Sequence, residues 1–177
     1  MALVKEIVDQ MDEEDRILYY SIKKKTPDEI IKGLYLGNRA HAMDKVTLKS
    51  FGVEYIIQIT SKKEAPFHGE EFKYKTVFFP DIEATDISLY YKELIEFIND
   101  KIKKGNVFVH CDAGVSRSVT TVISYLMVYK KMKYDDAFTL VRQKRPCMFP
   151  NQRFRDFLKE LDKELNRKSK KSKCIIW

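Results

Sequence analysis

A cysteine, an arginine and a serine lie close together in residues 110–118, which read HCDAGVSRS. Cys111 ends a short apolar run, and small residues separate it from Arg117 and Ser118. A thiolate is a strong nucleophile, and the planar guanidinium of arginine matches two oxygens of a phosphate group. Five residues between Cys111 and Arg117 allow one loop to wrap around a phosphate, with the sulfur below the phosphate and the two-pronged guanidinium (the fork) of Arg117 at its side. The spacing therefore predicts nucleophilic attack by Cys111 on a phosphate ester.

The segments on either side of the loop fit this chemistry. Residues 106–110, NVFVH, are short, β-branched and apolar, which predicts a central strand, and a helix is predicted to begin near Arg117. Loop amides and the positive end of a helix bind anions and stabilise a thiolate. Ser118 can donate its hydroxyl to the sulfur and make it a better leaving group. An inert buried cysteine would explain Cys111 alone, but not Gly114, Arg117 and Ser118 at their spacings.

The rest of the chain alternates strand and helix patterns. This alternation predicts an α/β fold with a central, mostly parallel twisted sheet flanked by helices. Strands are predicted in EIIKGLYLGN, VEYIIQIT, FKYKTVFFP and NVFVH, and helices over 39–50 (capped by Asn38), 86–105, 118–132, 134–144 and 151–165.

Length and charge divide the 177 residues into three predicted parts. Residues 1–26 form an N-terminal helical extension, 27–166 one folded domain and 167–177 a basic tail. The extension places Val4, Ile7, Val8 and Met11 on one helical face, which predicts a homodimer contact. The net charge of +7 includes five basic residues of 166–173, so the body is near neutral and a nucleic-acid partner is not expected.

The cysteine content and the hydropathy of the chain indicate the cellular compartment in which the protein is expected. The cysteines are Cys111, Cys147 and Cys174, too few and too widely spaced for a disulfide framework or a zinc site. No secretory signal and no apolar run of roughly 18–20 residues is found. These features predict a cytoplasmic protein that needs no metal and no cofactor.

HCDAGVSRSVTTVISYLM resembles the signature of the dual-specificity protein phosphatases, within the cysteine-dependent protein tyrosine phosphatase superfamily. GLYLGN near residue 35 and FPN at 149–151 also match that family, and the resemblance covers about residues 27–163. It implies the cysteine-phosphatase fold and a catalytic domain over 27–166. It also implies metal-independent hydrolysis of phosphotyrosine and phosphoserine or phosphothreonine on proteins, through a cysteinyl-phosphate intermediate.

The resemblance also implies a general acid, an aspartate on a loop before the cysteine. The chemistry requires one, because a tyrosine or serine oxygen leaves poorly without a proton. In FPDIEATDISLYY the favoured acid is Asp81, with Asp86 predicted as an N-cap and Glu83 as a weaker candidate. Family members place the acid five positions before a helix-opening residue, and Asp81 and Asp86 fit that spacing.

The loop residues receive individual roles. His110 is expected to support the loop and the thiolate, and Ser116 to contribute an amide. Asp112 brings an acid where relatives that act on inositol lipids or RNA ends carry basic residues, which disfavours highly charged esters. Those two activities, and a phosphate-binding pseudoenzyme or scaffold, remain the alternatives. The predicted phosphate cradle consists of Asp112, Ala113, Gly114, Val115, Ser116 and Arg117.

Four residues outside the loop also receive predicted roles. Cys147 is expected to serve packing, with a regulatory disulfide to Cys111 as the alternative. His41 and His68 are expected at the surface. The final residues, CIIW after a basic run, have the form of a prenylation box at Cys174, which predicts association with a membrane surface. Trp177 is not among the usual last residues of such a box, so the alternative is a solvated, unmodified tail.

Overall fold

The computed structural model describes residues 22–63 and 66–173, together with positions 10–13, 15 and 19; for 169–173 it describes the backbone alone. Val4, Ile7, Val8 and Cys174 lie outside the described residues. The predicted N-terminal helix, dimer contact and prenylation site therefore stay predictions. No helix in the described part of the chain is long and apolar enough to cross a membrane.

A five-stranded sheet forms the centre of the fold, with the strand order β1-β2-β5-β3-β4. β1 and β2 are antiparallel, and the β2–β5, β5–β3 and β3–β4 pairs are parallel. The predicted α/β fold with a mostly parallel sheet is therefore confirmed. The strands are β1 (Asp28–Ile31), β2 (Leu34–Gly37), β3 (Val53–Thr60), β4 (Lys73–Phe78) and β5 (Asn106–His110).

Helices cover both faces of this sheet. Those of the larger core are α3 (Tyr91–Lys101), α4 (Arg117–Tyr129), α5 (Tyr134–Lys144) and α6 (Gln152–Lys173). The short helices α1 (Arg39–Met43) and α2 (Lys45–Ser50) follow β2. On central strand β5, Val107 and Val109 face the larger core and Phe108 faces the smaller one. A strand buried on both sides in this way explains the continuous apolar run of NVFVH.

The structure divides three segments that the pattern predicted as single elements. The helix predicted over 86–105 consists of a 3-10 turn, Ile87–Leu89, followed by α3. EIIKGLYLGN forms a hairpin of β1 and β2, because Gly33 adopts a positive φ of 79° that reverses the chain. The helix predicted over 39–50 is interrupted at Asp44, whose carboxylate accepts a hydrogen bond from the Thr47 amide and caps α2. Asn38 caps α1, as predicted.

The last helix is longer than predicted. The apolar face over 151–165 is confirmed, with Phe154, Leu158 and Leu161 buried in the larger core. The backbone helix nevertheless continues through Lys173, so no break separates the folded domain from the basic tail at residue 166. Apolar periodicity ends near Leu165, and it could not report a helix that continues with polar residues alone.

Candidate active site

The loop of residues 111–116 lies between the carboxyl end of β5 and the first residue of α4, as the sequence predicts. Gly114 in this loop has a φ of +69°, and a Cβ there would lie 2.4 Å from the carbonyl oxygen of Gly37. Only glycine fits this position, for both its backbone angle and its close approach to β2. The neighbouring strand thereby fixes the curvature of the loop.

The sulfur of Cys111 lies inside this curve and is surrounded by hydrogen-bond donors. The side chain is 1% exposed. The Gly114 amide donates to Sγ over 3.2 Å, and the hydroxyl of Ser118 lies 3.2 Å from it. These donors and the N-terminus of α4 stabilise negative charge on the sulfur. The geometry suits a nucleophile with the Ser118 hydroxyl within hydrogen-bond distance.

Arg117 is buried beside the same loop. Its Nη1 donates to the carbonyl oxygen of Phe79 over 3.3 Å, and its Nη2 donates to Asp112 Oδ2 over 2.6 Å. Arg117 Nε lies 3.8 Å from Asp81 Oδ2. Both terminal nitrogens of the guanidinium therefore donate to protein acceptors, and one of these acceptors is an acidic residue of the loop.

Asp81 is the acid that the structure brings to the loop. Its Oδ1 accepts hydrogen bonds from Ser116 Oγ and from Asn151 Nδ2, each over 2.8 Å. Asp86 instead accepts from the Ser88 amide over 3.0 Å and caps the 3-10 turn Ile87–Leu89. The hydrogen bonds from Ser88 lower the pKa of Asp86. Asp86 is thus the predicted N-cap, and the geometry favours Asp81 as the acid.

His110 is buried directly before the nucleophile. Its ring stacks on Phe108 at 5.4 Å between centroids, and Nδ1 lies 3.4 Å from the Cys111 carbonyl oxygen. Burial lowers the pKa of His110 to about 4, so the ring is neutral near pH 7. Among the described residues no group pairs with its Nε2. This placement agrees with a supporting role rather than with proton transfer.

The remaining loop residues take more specific positions than the sequence indicated. Ser116 does more than present an amide, because its hydroxyl donates to Asp81 and accepts from the Asn151 amide over 3.3 Å. Val115 offers its carbonyl oxygen to the Phe149 amide over 2.7 Å. Ala113 is exposed at the rim, and Glu83 is exposed on the Asp81 loop.

Two residues of the site region were missed in the sequence analysis. Asn151 caps α6 by accepting from the Phe154 amide over 3.0 Å, and its side-chain amide donates to Asp81. Arg145 is fully buried; its Nε donates to the Gly114 carbonyl oxygen and its Nη1 to Asp28 Oδ2, each over 2.6 Å. The FPN motif pointed to Asn151, whereas no pattern marked Arg145 as a core residue.

The positions outside the loop give one correction. His41 is buried rather than at the surface: its Nε2 lies 2.8 Å from the Lys24 carbonyl oxygen, and Nδ1 accepts from the Asn38 amide over 3.3 Å. The capping box at the start of α1 draws the ring inward. His68 is half-buried against the Met43 carbonyl oxygen. Cys111 and Cys147 are both buried thiols, and the regulatory disulfide stays a prediction.

Comparison with known proteins identifies the domain. The family model described as "Dual specificity phosphatase, catalytic domain" matches residues 34–164. Dual specificity protein phosphatase 1 of Arabidopsis thaliana is 41% identical over 140 residues, which cover 78% of this chain and 70% of that protein. MAP kinase phosphatase with leucine-rich repeats protein 1 of Dictyostelium discoideum is 38% identical over 141 residues, or 80% of this chain but only 17% of that protein.

The structural comparison agrees with the sequence matches. The crystal structure of human tyrosine phosphatase-like serine/threonine/tyrosine-interacting protein superposes with a TM-score of 0.72 at 35% identity, over 77% of this chain and 95% of that one. The family match spans well over half of the sequence and includes Cys111, Arg117 and Asp81. The chain therefore belongs to the dual specificity phosphatase family.

Proposed function

We propose that this chain hydrolyses phosphotyrosine and phosphoserine or phosphothreonine on proteins through a cysteinyl-phosphate intermediate. The observation that carries the proposal is that the Cys111 sulfur and the Asp81 carboxylate are both hydrogen-bonded to the same loop. Gly114 N and Ser118 Oγ lie 3.2 Å from the Cys111 sulfur, and Ser116 of the same loop donates to Asp81. This arrangement supports a nucleophile and an acid that act on the same bound phosphate. The family match supports the reaction class.

The first half of the reaction transfers the phosphoryl group to sulfur. The Cys111 thiolate attacks phosphorus, so that an S–P bond forms while the bond from phosphorus to the substrate oxygen breaks. Asp81, in its acid form, gives its proton to that departing oxygen. The loop amides and the Arg117 fork hold the non-bridging oxygens, where negative charge collects in the transition state.

The second half releases inorganic phosphate. Asp81, now a carboxylate, takes a proton from water as the water oxygen attacks phosphorus, and the S–P bond breaks. The Ser118 hydroxyl donates to the departing sulfur and stabilises the thiolate that forms. Asp81 ends in its acid form and Cys111 as a thiolate, so the site is ready for another substrate.

The test measures phosphate release from a phosphotyrosine peptide, a phosphothreonine peptide and a phosphoinositide. Cys111→Ser is the blank, and Cys147→Ser is a matched control at another buried cysteine. We expect release from both peptides, abolished in Cys111→Ser and kept in Cys147→Ser. Phosphate binding should survive in Cys111→Ser, because the amides and Arg117 remain. Turnover by Cys111→Ser would contradict the proposal, and activity on phosphotyrosine alone would contradict dual specificity.

A phosphate-binding scaffold is the second candidate. The superposed human structure carries a name that describes a phosphatase-like interacting protein. Here, however, Cys111, Arg117 and Asp81 are all present, and the hydrogen bond from Ser116 to Asp81 supports catalysis rather than binding alone. Peptide binding without phosphate release in the wild-type chain would favour the scaffold.

The tail, the oligomeric state and the location belong to the proposal as well. The helical backbone of α6 reaches Lys173, directly before Cys174. We propose a cytoplasmic enzyme that reaches a membrane surface through a prenylated Cys174 and the basic residues before it, since one lipid chain alone binds only marginally. An intact mass showing unmodified Cys174 with Trp177 still attached would contradict this membrane attachment.

We propose in addition that residues 1–26 mediate dimerisation. The test compares the mass in solution of the full chain with that of a chain lacking residues 1–26.

A further inference from the structure

The outer end of Arg117 is already bound to a carboxylate of its own loop. Nη2 donates to Asp112 Oδ2 over 2.6 Å, while Nη1 donates to the backbone at Phe79. The Arg117 side chain is 6% exposed, so its position is fixed by the surrounding protein. Asp112 therefore occupies part of the fork that a phosphoryl group needs.

Because of this contact, the Asp112 carboxylate competes with the substrate phosphate for Arg117. A phosphoryl dianion entering the loop competes for the same guanidinium, because carboxylate and phosphate oxygens accept the same kind of charge-assisted hydrogen bond. The Asp112 carboxylate and a phosphate bound to the same guanidinium also repel each other, because both are negatively charged. Either the carboxylate moves away, or the phosphate binds more weakly.

A second arginine, Arg39, lies next to the Asp112 carboxylate and can bind it once it leaves Arg117. Arg39 Nη1 lies 3.9 Å from Asp112 Oδ1, and the Arg39 guanidinium lies over the Phe67 ring, 4.9 Å from its centroid. The Arg39 amide donates to the Asp112 carbonyl oxygen over 3.0 Å, which holds the two backbones together. The Asp112 side chain is 41% exposed, so it borders solvent rather than being packed in place by the surrounding protein.

We propose that Asp112 is a specificity-determining residue that closes the Arg117 fork in the empty site and moves to Arg39 when a phosphoryl group enters. This inference rests on the proposed function. Because the displaced carboxylate stays near the phosphate, the site selects monoesters that carry no second strongly anionic group beside the phosphoryl. Phosphorylated side chains of proteins satisfy this condition, and lipid headgroups with neighbouring phosphates do not.

The first experiment measures the dissociation constant of inorganic phosphate by calorimetry, in a Cys111→Ser background where turnover plays no part. Asp112→Asn keeps the shape of the side chain and removes its charge. We expect phosphate to bind about tenfold more tightly, equivalent to about 1.4 kcal/mol. Asp112→Glu keeps the charge and should bind phosphate no more tightly than the parent. Unchanged phosphate affinity in Asp112→Asn would overturn the proposal, whether or not the chain proves to be an active enzyme.

The second experiment is a double-mutant cycle with Arg39. Arg39→Gln removes the second partner of the carboxylate and should weaken phosphate binding when Asp112 is present. In the Asp112→Asn background the same change should have little effect, because no charge has to move. The control is Arg155→Gln, an arginine stacked on Phe149, which should not depend on residue 112. Additive effects of Arg39→Gln and Asp112→Asn would show that the two residues do not cooperate, and would overturn the movement.

Catalytic constants then test the substrate class. With active Cys111, Asp112→Asn should lower the KM for a phosphotyrosine peptide more than it changes kcat. It should raise kcat/KM more for a phosphoinositide with neighbouring phosphates than for that peptide. An equal gain for both substrates would contradict selection by charge.

Discussion

The side-chain amide of Asn151 donates a hydrogen bond to Asp81, with Nδ2 and Oδ1 2.8 Å apart. The same side chain accepts from the Phe154 amide through its oxygen and thereby caps α6. One residue thus joins the start of the last helix to the loop that carries the acid. The structural and catalytic roles of Asn151 use opposite ends of its amide group, so they can be separated by mutation.

Asn151→Asp should separate these two roles. Aspartate caps helices about as well as asparagine, so the cap of α6 should be kept and any loss of stability should come from the repulsion of Asp81 alone. Its carboxylate cannot donate to Asp81 and repels it, so kcat should fall about tenfold, as expected for one lost hydrogen bond. Asn151→Ala should lose a comparable activity and in addition about 1 kcal/mol of stability. Urea unfolding and steady-state kinetics check both, and full activity in Asn151→Asp would contradict the positioning role.

The two aspartates of the acid loop should differ in kinetics. Asp81→Asn should lower kcat by roughly 10²-fold on a phosphoserine or phosphotyrosine peptide, because the leaving oxygen receives no proton. The loss should shrink on an aryl phosphate whose leaving group needs none. Asp86→Asn should affect mainly the cap of the turn at Ile87. The opposite pattern would assign the acid to Asp86.

His110 should make stability depend on pH below neutrality. Its pKa falls from 6.5 in the unfolded chain to about 4 in the folded one, because burial disfavours the charged ring. Between these values the unfolded chain binds a proton at His110 that the folded chain does not, so stability falls as pH falls. The difference in unfolding free energy between wild type and His110→Gln should therefore shift by about 3 kcal/mol across this window. A difference that stays constant from pH 7 to pH 4 would contradict this account.

Arg145 should matter for stability more than any exposed ion pair. Arg145→Met leaves the buried Asp28 carboxylate without its main partner, although Lys24 Nζ still lies 2.6 Å from its other oxygen. Breaking a buried pair in this way costs about 3–5 kcal/mol. Asp28→Asn combined with Arg145→Met should recover part of that loss, because no buried charge is left uncompensated. Urea unfolding of the three chains measures it, and equal losses in the single and double variants would rule this out.

The sequence was most informative where residue type and local spacing determine the chemistry. Cys111, Arg117 and Ser118 lie in the loop and in the first turn of the helix that follows it, so their spacing along the chain also describes their arrangement in space. Asp81 could be ranked above Asp86 because an aspartate before a helix-opening turn has a recognisable capping pattern. The strands were found because β-branched runs mark buried β structure.

The features that could not be predicted from the sequence depend on contacts between segments that are distant along the chain. Arg145 and Asp28 are 117 residues apart, and neither shows its burial in the sequence, because charged residues are normally exposed. Asp112 was assessed by its charge alone, and only the structure brings Arg39 beside it. His41 was assigned to the surface for the same reason, since its Lys24 contact lies 17 residues away.

The bond from Arg145 to the Gly114 carbonyl has a further consequence for how the loop opens. Because Arg145 also holds Asp28 of the first hairpin, the loop is attached to the central sheet from both sides. Local opening of the loop would leave the buried Nε of Arg145 without its acceptor, so the loop should open only together with the core. In native-state hydrogen exchange, the Gly114 amide should therefore exchange as slowly as the amides of β5. The backbone of the loop would then keep its curved form in every folded molecule, and only side chains such as Asp112 would have to move when a ligand arrives.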